Sequence, residues 1–173
     1  VSENYICGNF TKGFGAGVGQ NGMCQNGTIE HNDILFNQAF NQLPATGCSG
    51  GGIALRGLED ADGNRLGTGD VTVNANRLQG NLAGAGDGGG IRLAETDAIT
   101  GGVLNPYTIN IVNNMIVNNV TGFAGAGIGL QDATSVNIVH NTIANNDSTA
   151  TAGEAFTVDP NLSMQQPAGV ASR

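Results

Sequence analysis

Aliphatic residues and asparagines recur along this chain in a fixed register. The unit N-x-[I/L]-x-x-N occurs five times without a gap, and the units begin at Asn4, Asn32, Asn76, Asn114 and Asn141. A glycine-rich stretch follows each unit, and a short apolar stretch comes after it, ending with Phe156-Thr157-Val158 in the last repeat. Successive units start 28, 44, 38 and 27 residues apart. Repeats of this length predict a stack of similar coils, two of which carry loop insertions.

Each repeat contains three short apolar segments, which predict three strands per coil. The first segment alternates, as in Val71–Val73 and Ile109–Ile111, so both aliphatic residues point inward. The second centres on the aliphatic residue two positions after the first asparagine, and the third follows the glycines. No stretch has sustained helical spacing, and Gly and Asn are poor helix formers. The sequence predicts an all-β fold, a right-handed parallel β-helix of about five coils and three short strands per coil, over residues 1–158.

The repeated asparagines are expected at the tight turns between strands. One residue of such a turn takes the left-handed backbone conformation, which Asn tolerates better than any residue except Gly. Stacked from coil to coil, the side chains can bond to one another and to buried backbone groups. We therefore expect two structural ladders, one of Asn32, Asn76, Asn114 and Asn141 and one of Asn37, Asn81, Asn119 and Asn146.

Insertions and chain ends depart from this register. The insertions span 40–49, 57–69 and 94–106, and loops on a rigid scaffold are where binding usually occurs. Asp159-Pro160 interrupts the pattern, and residues 159–173 are predicted to form an extended tail or a linker to further sequence. The chain opens already in register with a strand, which is typical of a cut through a longer repeat. We interpret it as a mature segment or a fragment.

Composition narrows the possible partners. The chain has 14 acidic and six basic residues and a net charge of −8, and the basic residues are scattered. Nucleic acid is thereby excluded as a partner, because phosphate binding needs clustered Lys and Arg. No run of 18 apolar residues occurs, so no membrane insertion is expected. The odd number of cysteines, Cys7, Cys24 and Cys48, leaves at least one unpaired, and their spacing cannot choose a disulfide.

The segment 59–64 is the candidate metal site. Asp60, Asp62 and Asn64 have the D-x-D-x-N spacing of a calcium loop, in which oxygen ligands two residues apart converge on one cation. Arg65 stands where such loops carry Gly, and the closing Glu is missing. The alternative is an ordinary polar turn, and no other cofactor is expected.

Arg92 and Asp87 form the candidate ligand-binding pair. Arg92 lies between Ile91 and Leu93, so its side chain points outward from a rigid strand beside Asp87. Such a pair could bind a sugar or a uronate. The alternative is a solvated salt bridge that contributes little.

The register resembles the right-handed parallel β-helix proteins of the pectin-lyase-like superfamily over residues 1–158. The pairing of Leu35-Phe36-Asn37 with Gly-Gly-Gly-Ile, at Gly50 to Ile53 and Gly88 to Ile91, is similar to repeats of polymorphic outer-membrane proteins and autotransporter passengers. That resemblance implies a secreted, surface-displayed stalk that is often adhesive. The motifs that carry catalysis in polygalacturonases and pectate lyases are missing, so no catalytic residue is assigned.

Two functions follow as hypotheses. The first is a structural or adhesive β-helix segment of a larger secreted or cell-surface bacterial protein, such as a stalk, adhesin or filament subunit. The alternative is a carbohydrate-binding or polysaccharide-degrading β-helix, a lyase or a glycoside hydrolase. Open β-helix ends expose strand edges, which recruit other copies or flanking segments.

Overall fold

The structure, a computed structural model, describes residues 1–40 and 48–173. Residues 41–47 of the first predicted insertion lie outside the described residues. Every coil carries its strands in the same order along the chain. The strands are β1 (Tyr5–Cys7), β2 (Phe10–Thr11) and β3 (Val18–Asn21) in coil 1; β4 (Gly27–Glu30), β5 (Asp33–Leu35), β6 (Gln38–Ala39) and β7 (Ile53–Arg56) in coil 2; β8 (Val71–Asn74), β9 (Arg77–Gln79), β10 (Leu82–Ala83) and β11 (Ile91–Ala94) in coil 3; a hairpin of β12 (Ala98–Thr100) and β13 (Val103–Asn105); β14 (Thr108–Val112), β15 (Met115–Val117), β16 (Val120–Thr121) and β17 (Ile128–Gln131) in coil 4; and β18 (Ser135–Val139), β19 (Thr142–Ala144), β20 (Asp147–Ser148) and β21 (Val170–Ser172) in coil 5.

Equivalent strands stack into four parallel sheets along the axis. Sheet I has the order β4-β8-β14-β18, sheet II β1-β5-β9-β15-β19, sheet III β2-β6-β10-β16-β20 and sheet IV β3-β7-β11-β17-β21. Only the hairpin β12–β13 is an antiparallel strand pair among the described residues. The predicted parallel β-helix is confirmed. In coils 2 to 5 the structure adds a fourth strand to the three predicted, because the two-residue strands of sheet III are too short to show alternation.

The core is a column of aliphatic side chains stacked in register. Ile34, Leu78 and Ile116 lie directly above one another in sheet II and are fully buried. In sheet I the aliphatic residues of the two middle strands are buried, Val71 and Val73 in β8 and Ile109 and Ile111 in β14. Burying a side chain of this size contributes about 1.5–3 kcal/mol. The stacking fixes the register, because a shift of one residue would turn every inward side chain outward.

The left-handed turn residues are not the asparagines that the sequence suggested. The residue before each repeated asparagine takes this conformation instead, with φ between 52° and 68°. The positions are Glu3, His31, Ala75, Asn113 and His140 before the first asparagine, and Gly8, Phe36, Gly80, Asn118 and Asn145 before the second. The asparagine that follows is thereby turned inward, where its amide is needed for bonding between coils.

The asparagines form two ladders that run through all five coils. In the first ladder the Asn32 Nδ2 donates to Asn76 Oδ1 at 2.9 Å, and Asn76 Nδ2 donates to Asn114 Oδ1 at 3.0 Å. Asn4 and Asn141 continue the row at its two ends. The second ladder repeats the pattern with Asn9, Asn37, Asn81, Asn119 and Asn146. The backbone N–H of each donor asparagine bonds to the same Oδ1.

The C-terminal segment closes the last coil. The sequence places the last apolar stretch at Phe156–Val158, but Gly153–Phe156 is a turn of 3-10 helix. The strand at that register position is β21, which pairs with β17 in parallel. The carbonyls of Pro167, Ala168 and Gly169 accept hydrogen bonds from the glycine turn and the start of β17. Part of the tail predicted at 159–173 is therefore a sheet strand.

Replacing Asn81 with Ala is expected to destabilise the fold by roughly 3 kcal/mol, because buried groups on two neighbouring coils lose their partners. Asn81 is fully buried, donates to Asn119 and Ile34, and accepts from Asn37. The free energy of unfolding in urea measures the loss. Asn110→Ala is the control, because Asn110 only accepts one exposed bond from Asn137 and should cost less than about 0.5 kcal/mol. Equal losses in the two variants would contradict a structural role for the ladder.

Candidate functional site

Asp87 and Arg92, the candidate ligand-binding pair, are in contact with each other, but both side chains are buried. Asp87 lies in the glycine turn before β11, and Arg92 is the second residue of that strand. Arg92 Nη1 lies 2.6 Å from Asp87 Oδ2, and the two side chains are 6% and 3% exposed. The pair is therefore not the solvated salt bridge of the alternative interpretation. A buried pair needs further hydrogen bonds to offset its loss of hydration.

The cover over this pair comes from later coils. Arg173 Nη2 lies 2.8 Å from Asp87 Oδ2, and Arg92 Nη2 donates to Gln131 Oε1. The Arg173 guanidinium also lies over the Phe123 ring, 4.9 Å from its centroid. The Ala124 N–H donates to Asp87 Oδ1 at 3.2 Å. One carboxylate, two guanidinium groups and an amide thus link coil 3 to coils 4 and 5.

This geometry changes what the pair can do. The second oxygen of Asp87 already faces two arginines, and Arg92 is enclosed beside it. Arg173, whose side chain is 40% exposed, is the arginine of the cluster that a sugar could reach. The sequence could not show this, because Arg173 is 86 residues away from Asp87.

Asp87→Asn is expected to lower the free energy of unfolding by about 3 kcal/mol, since it leaves the buried Arg92 without its counter-charge. Arg173→Gln removes the outer, half-exposed partner and should cost less than about 1 kcal/mol. Urea denaturation of both variants beside the unchanged chain gives the comparison. A larger loss for Arg173→Gln would contradict the assignment of Arg92 as the enclosed partner.

The predicted calcium loop is held by its own hydrogen bonds. Asp60 Oδ1 accepts from the backbone N–H groups of Asp62 and Asn64, both at 2.9 Å, and Asp60 Oδ2 accepts from Asn64 Nδ2. Asn64 Oδ1 accepts from the Gly101 N–H in the hairpin loop. Oxygens of Asp60 and Asn64 that were expected to bind calcium thus accept hydrogen bonds within the protein. Across the described residues, no group of three or more His, Cys, Asp or Glu side chains is arranged to hold a metal ion.

Two hydrogen bonds from Asn64 hold the pKa of Asp60 below its ordinary value of 3.8. The bond from the Asn64 side chain has the larger effect, and the bond from its backbone N–H adds to it. Asn64→Ala is therefore expected to raise the pKa of this carboxyl, which an NMR pH titration would detect. Because the pKa is depressed in the folded state, any stabilisation it gives is present above the unfolded pKa and is lost as the pH falls. An unchanged titration of Asp60 would contradict the hydrogen-bonded loop.

An open groove that the sequence did not predict lies on coils 1 to 3. It has a volume of about 510 Å³ and is lined by Glu3, Asn4, Tyr5, His31, Asn32, Asp33, Ala75 and Arg77. Tyr5 is 69% exposed, and Arg77 lies 4.0 Å from Asp33 and donates to Gln79. The signal was present in the sequence, because Tyr5, Asp33 and Arg77 all occupy the position after a ladder asparagine. That position points outward, so a ligand can reach all three side chains.

The cysteines do not assemble a site. Among the described residues no disulfide forms, and Cys7 and Cys24 are exposed. The Cys48 thiol donates to the Lys12 carbonyl at 3.3 Å, and burial raises its pKa. A thiol with a raised pKa is a poor nucleophile at neutral pH.

No protein-family model, curated protein or solved structure matches this chain. The described residues contain no helix with the length and apolar character that crossing a membrane requires. The fold defines the class, a parallel β-helix.

Proposed function

We propose that the chain is a structural or adhesive segment of a larger secreted or cell-surface bacterial protein, serving as a stalk, an adhesin or a filament subunit. One observation carries the proposal: the buried polar side chains bond coil to coil. Six ladder asparagines, Asn32, Asn37, Asn76, Asn81, Asn114 and Asn119, are at most 2% exposed. The buried Asp87 and Arg92 likewise connect coil 3 to its neighbours. These contacts stiffen a rod.

The finer assignment rests on the resemblance to polymorphic outer-membrane proteins and autotransporter passengers of the pectin-lyase-like superfamily. The acidic surface, with a net charge of −8, suits an extracellular protein. The expected partners are other copies or flanking segments at the β-helix ends, and carbohydrate on the exposed faces. Calcium stays a prediction for the 60–64 loop, where a cation would have to replace the hydrogen bonds of Asp60.

Surface display is tested by antibodies raised against the folded chain. Intact source cells, or the medium around them, should carry the epitope without permeabilisation. An antibody against a cytosolic protein checks that the cells are intact. Staining that appears only after permeabilisation would refute the secreted or surface location.

A specific observation favours the alternative, a carbohydrate-binding or polysaccharide-degrading β-helix. The open groove places the exposed Tyr5 beside Asp33 and Arg77, and saccharide sites combine an aromatic face with charged hydrogen-bonding groups. Two carboxylates, Glu3 and Asp33, line the same groove. Glycoside hydrolysis uses two carboxyl groups on either side of the scissile bond.

Incubating the protein with acidic and neutral polysaccharides and assaying the products distinguishes the two functions. The structural proposal predicts no new reducing ends and no unsaturated products. A polysaccharide-degrading β-helix predicts one or the other, and a carbohydrate-binding one predicts retention on the polysaccharide; either property should be lost in Arg77→Ala. Arg56→Ala is the matched control, because Arg56 is similarly exposed but lies outside the groove. Turnover by the unchanged chain that survives in Arg56→Ala and disappears in Arg77→Ala would overturn the structural proposal.

A further inference from the structure

The outer face of sheet I carries two rows of short polar side chains. The first row pairs in register from coil 2 to coil 5 and consists of Thr28, Thr72, Asn110 and Asn137. These side chains point away from the core, as in β8, where Val71 and Val73 are buried on either side of Thr72. The second row lies two positions earlier in each coil and consists of Asn26, Asp70, Thr108 and Ser135. None of the eight residues is buried, so both rows are accessible from outside.

The two rows line an open groove on coils 2 to 4, which we call the sheet I groove. It has a volume of about 390 Å³, and its polar lining consists of Asn26, Thr28, Asp70, Thr72, Thr108 and Asn110. It is separate from the groove beside Tyr5, because the two share no lining residue. Three successive coils therefore present hydroxyl, amide and carboxylate groups to one ligand.

Much of the hydrogen-bonding capacity in the sheet I groove is unused within the protein. Asp70 Oδ1 accepts from the Thr108 N–H at 2.7 Å, and Asn110 Oδ1 accepts from the exposed Asn137 at 2.9 Å. Among the described residues, the hydroxyls of Thr28 and Thr72 make no hydrogen bond. Hydroxyl and amide groups both donate and accept, so they match a ligand whose own groups do both. Sugar hydroxyls have this property.

The charge of the sheet I groove favours a neutral ligand. Asp70 lies in its middle coil, Glu30 faces outward two positions after Thr28, and no Lys or Arg lines the groove. A ligand with carboxylate, sulfate or phosphate groups would meet like charges without a counter-charge. A metal ion alone is a poor match, because across the described residues no group of three or more His, Cys, Asp or Glu is arranged to hold one.

We propose that the sheet I groove binds a neutral polysaccharide lying along the β-helix axis, with its hydroxyl groups bonded to Thr28, Thr72 and Asn110. Neighbouring coils are about 4.8 Å apart, which is close to the length of one sugar unit in an extended chain, so each coil meets one unit. The proposal rests on the adhesive function proposed above and names the class of ligand. Because each coil adds its own weak contacts, affinity increases with the length of the saccharide.

Retention on immobilised polysaccharides tests the ligand class. The neutral probes are cellulose, a β-1,3-glucan, xylan and mannan, and polygalacturonate is the acidic comparison. The unchanged chain should be retained on at least one neutral probe, with and without EDTA, and should pass over polygalacturonate. A long oligosaccharide of the retained sugar should compete at least about tenfold better than its monosaccharide, since it spans several coils.

A double variant, Thr28→Val with Thr72→Val, tests the location. It removes both unused hydroxyls and keeps β-branched side chains, which suit a strand. Binding should weaken about tenfold, because two hydrogen bonds to the ligand are lost. Thr142→Val is the matched control, because Thr142 is an exposed strand residue of sheet II outside the groove, and its binding should be unchanged. Circular dichroism and thermal melting show that each variant is folded.

Four results would overturn the inference. The chain could pass over every neutral probe, or the folded double variant could bind as well as the unchanged chain. Loss of retention in EDTA would assign binding to a cation. Loss in Arg77→Ala but not in the double variant would place the saccharide in the groove beside Tyr5. The surface-display experiment does not depend on any of these results, so failure of this site is distinguishable from failure of the proposed function.

Discussion

The amide-to-amide hydrogen bond between stacked asparagines is the interaction on which this fold depends. Each coil must turn sharply between strands, and the turns expose backbone groups to a dry interior, where an unpaired group is costly. An asparagine side chain can donate and accept at once, so a row of them satisfies itself. Asn76 shows the full pattern, because its amide donates to both Asn114 and the Ile29 carbonyl while its oxygen accepts from Asn32. Neither aspartate nor serine could repeat that arrangement indefinitely.

Because the asparagine ladders fix the turns between strands, insertions occur in the segments outside the ladders. The hairpin β12–β13 and the 57–69 loop are inserted between sheets without disturbing the register of β7, β11 and β17. Such loops tolerate change because the scaffold carries the stability. The cluster of Asp87, Arg92 and Arg173 adds a second set of links on the outer side of sheet IV. Arginine suits that place because its planar guanidinium can meet a carboxylate and an amide oxygen together.

Periodicity in the sequence was enough to predict the stack, the inward aliphatic residues and the positions of the asparagines. Periodicity could not predict features that depend on a residue far away in the sequence, or strands of only two residues. Phe156–Val158 has suitable apolar residues, yet the final strand is Val170–Ser172, whose preceding Pro167, Ala168 and Gly169 accept the bonds from coil 4. Gly169-Val170 does match Gly17-Val18, so a weak signal existed. The burial of Arg92 had no local signal, since its cover arrives from coils 4 and 5.

The burial of Arg92 also weakens the carbohydrate hypothesis relative to the structural one. The pair that the sequence offered for ligand binding supports the scaffold, so the carbohydrate hypothesis moves to the groove beside Tyr5. Within that groove Arg77 is already engaged by Gln79 and lies near Asp33, which reduces its capacity to fix a substrate. The ladders, by contrast, are continuous and directional over all five coils. Buried asparagine amides that bond along one axis are better suited to supporting a rod than to holding a transition state.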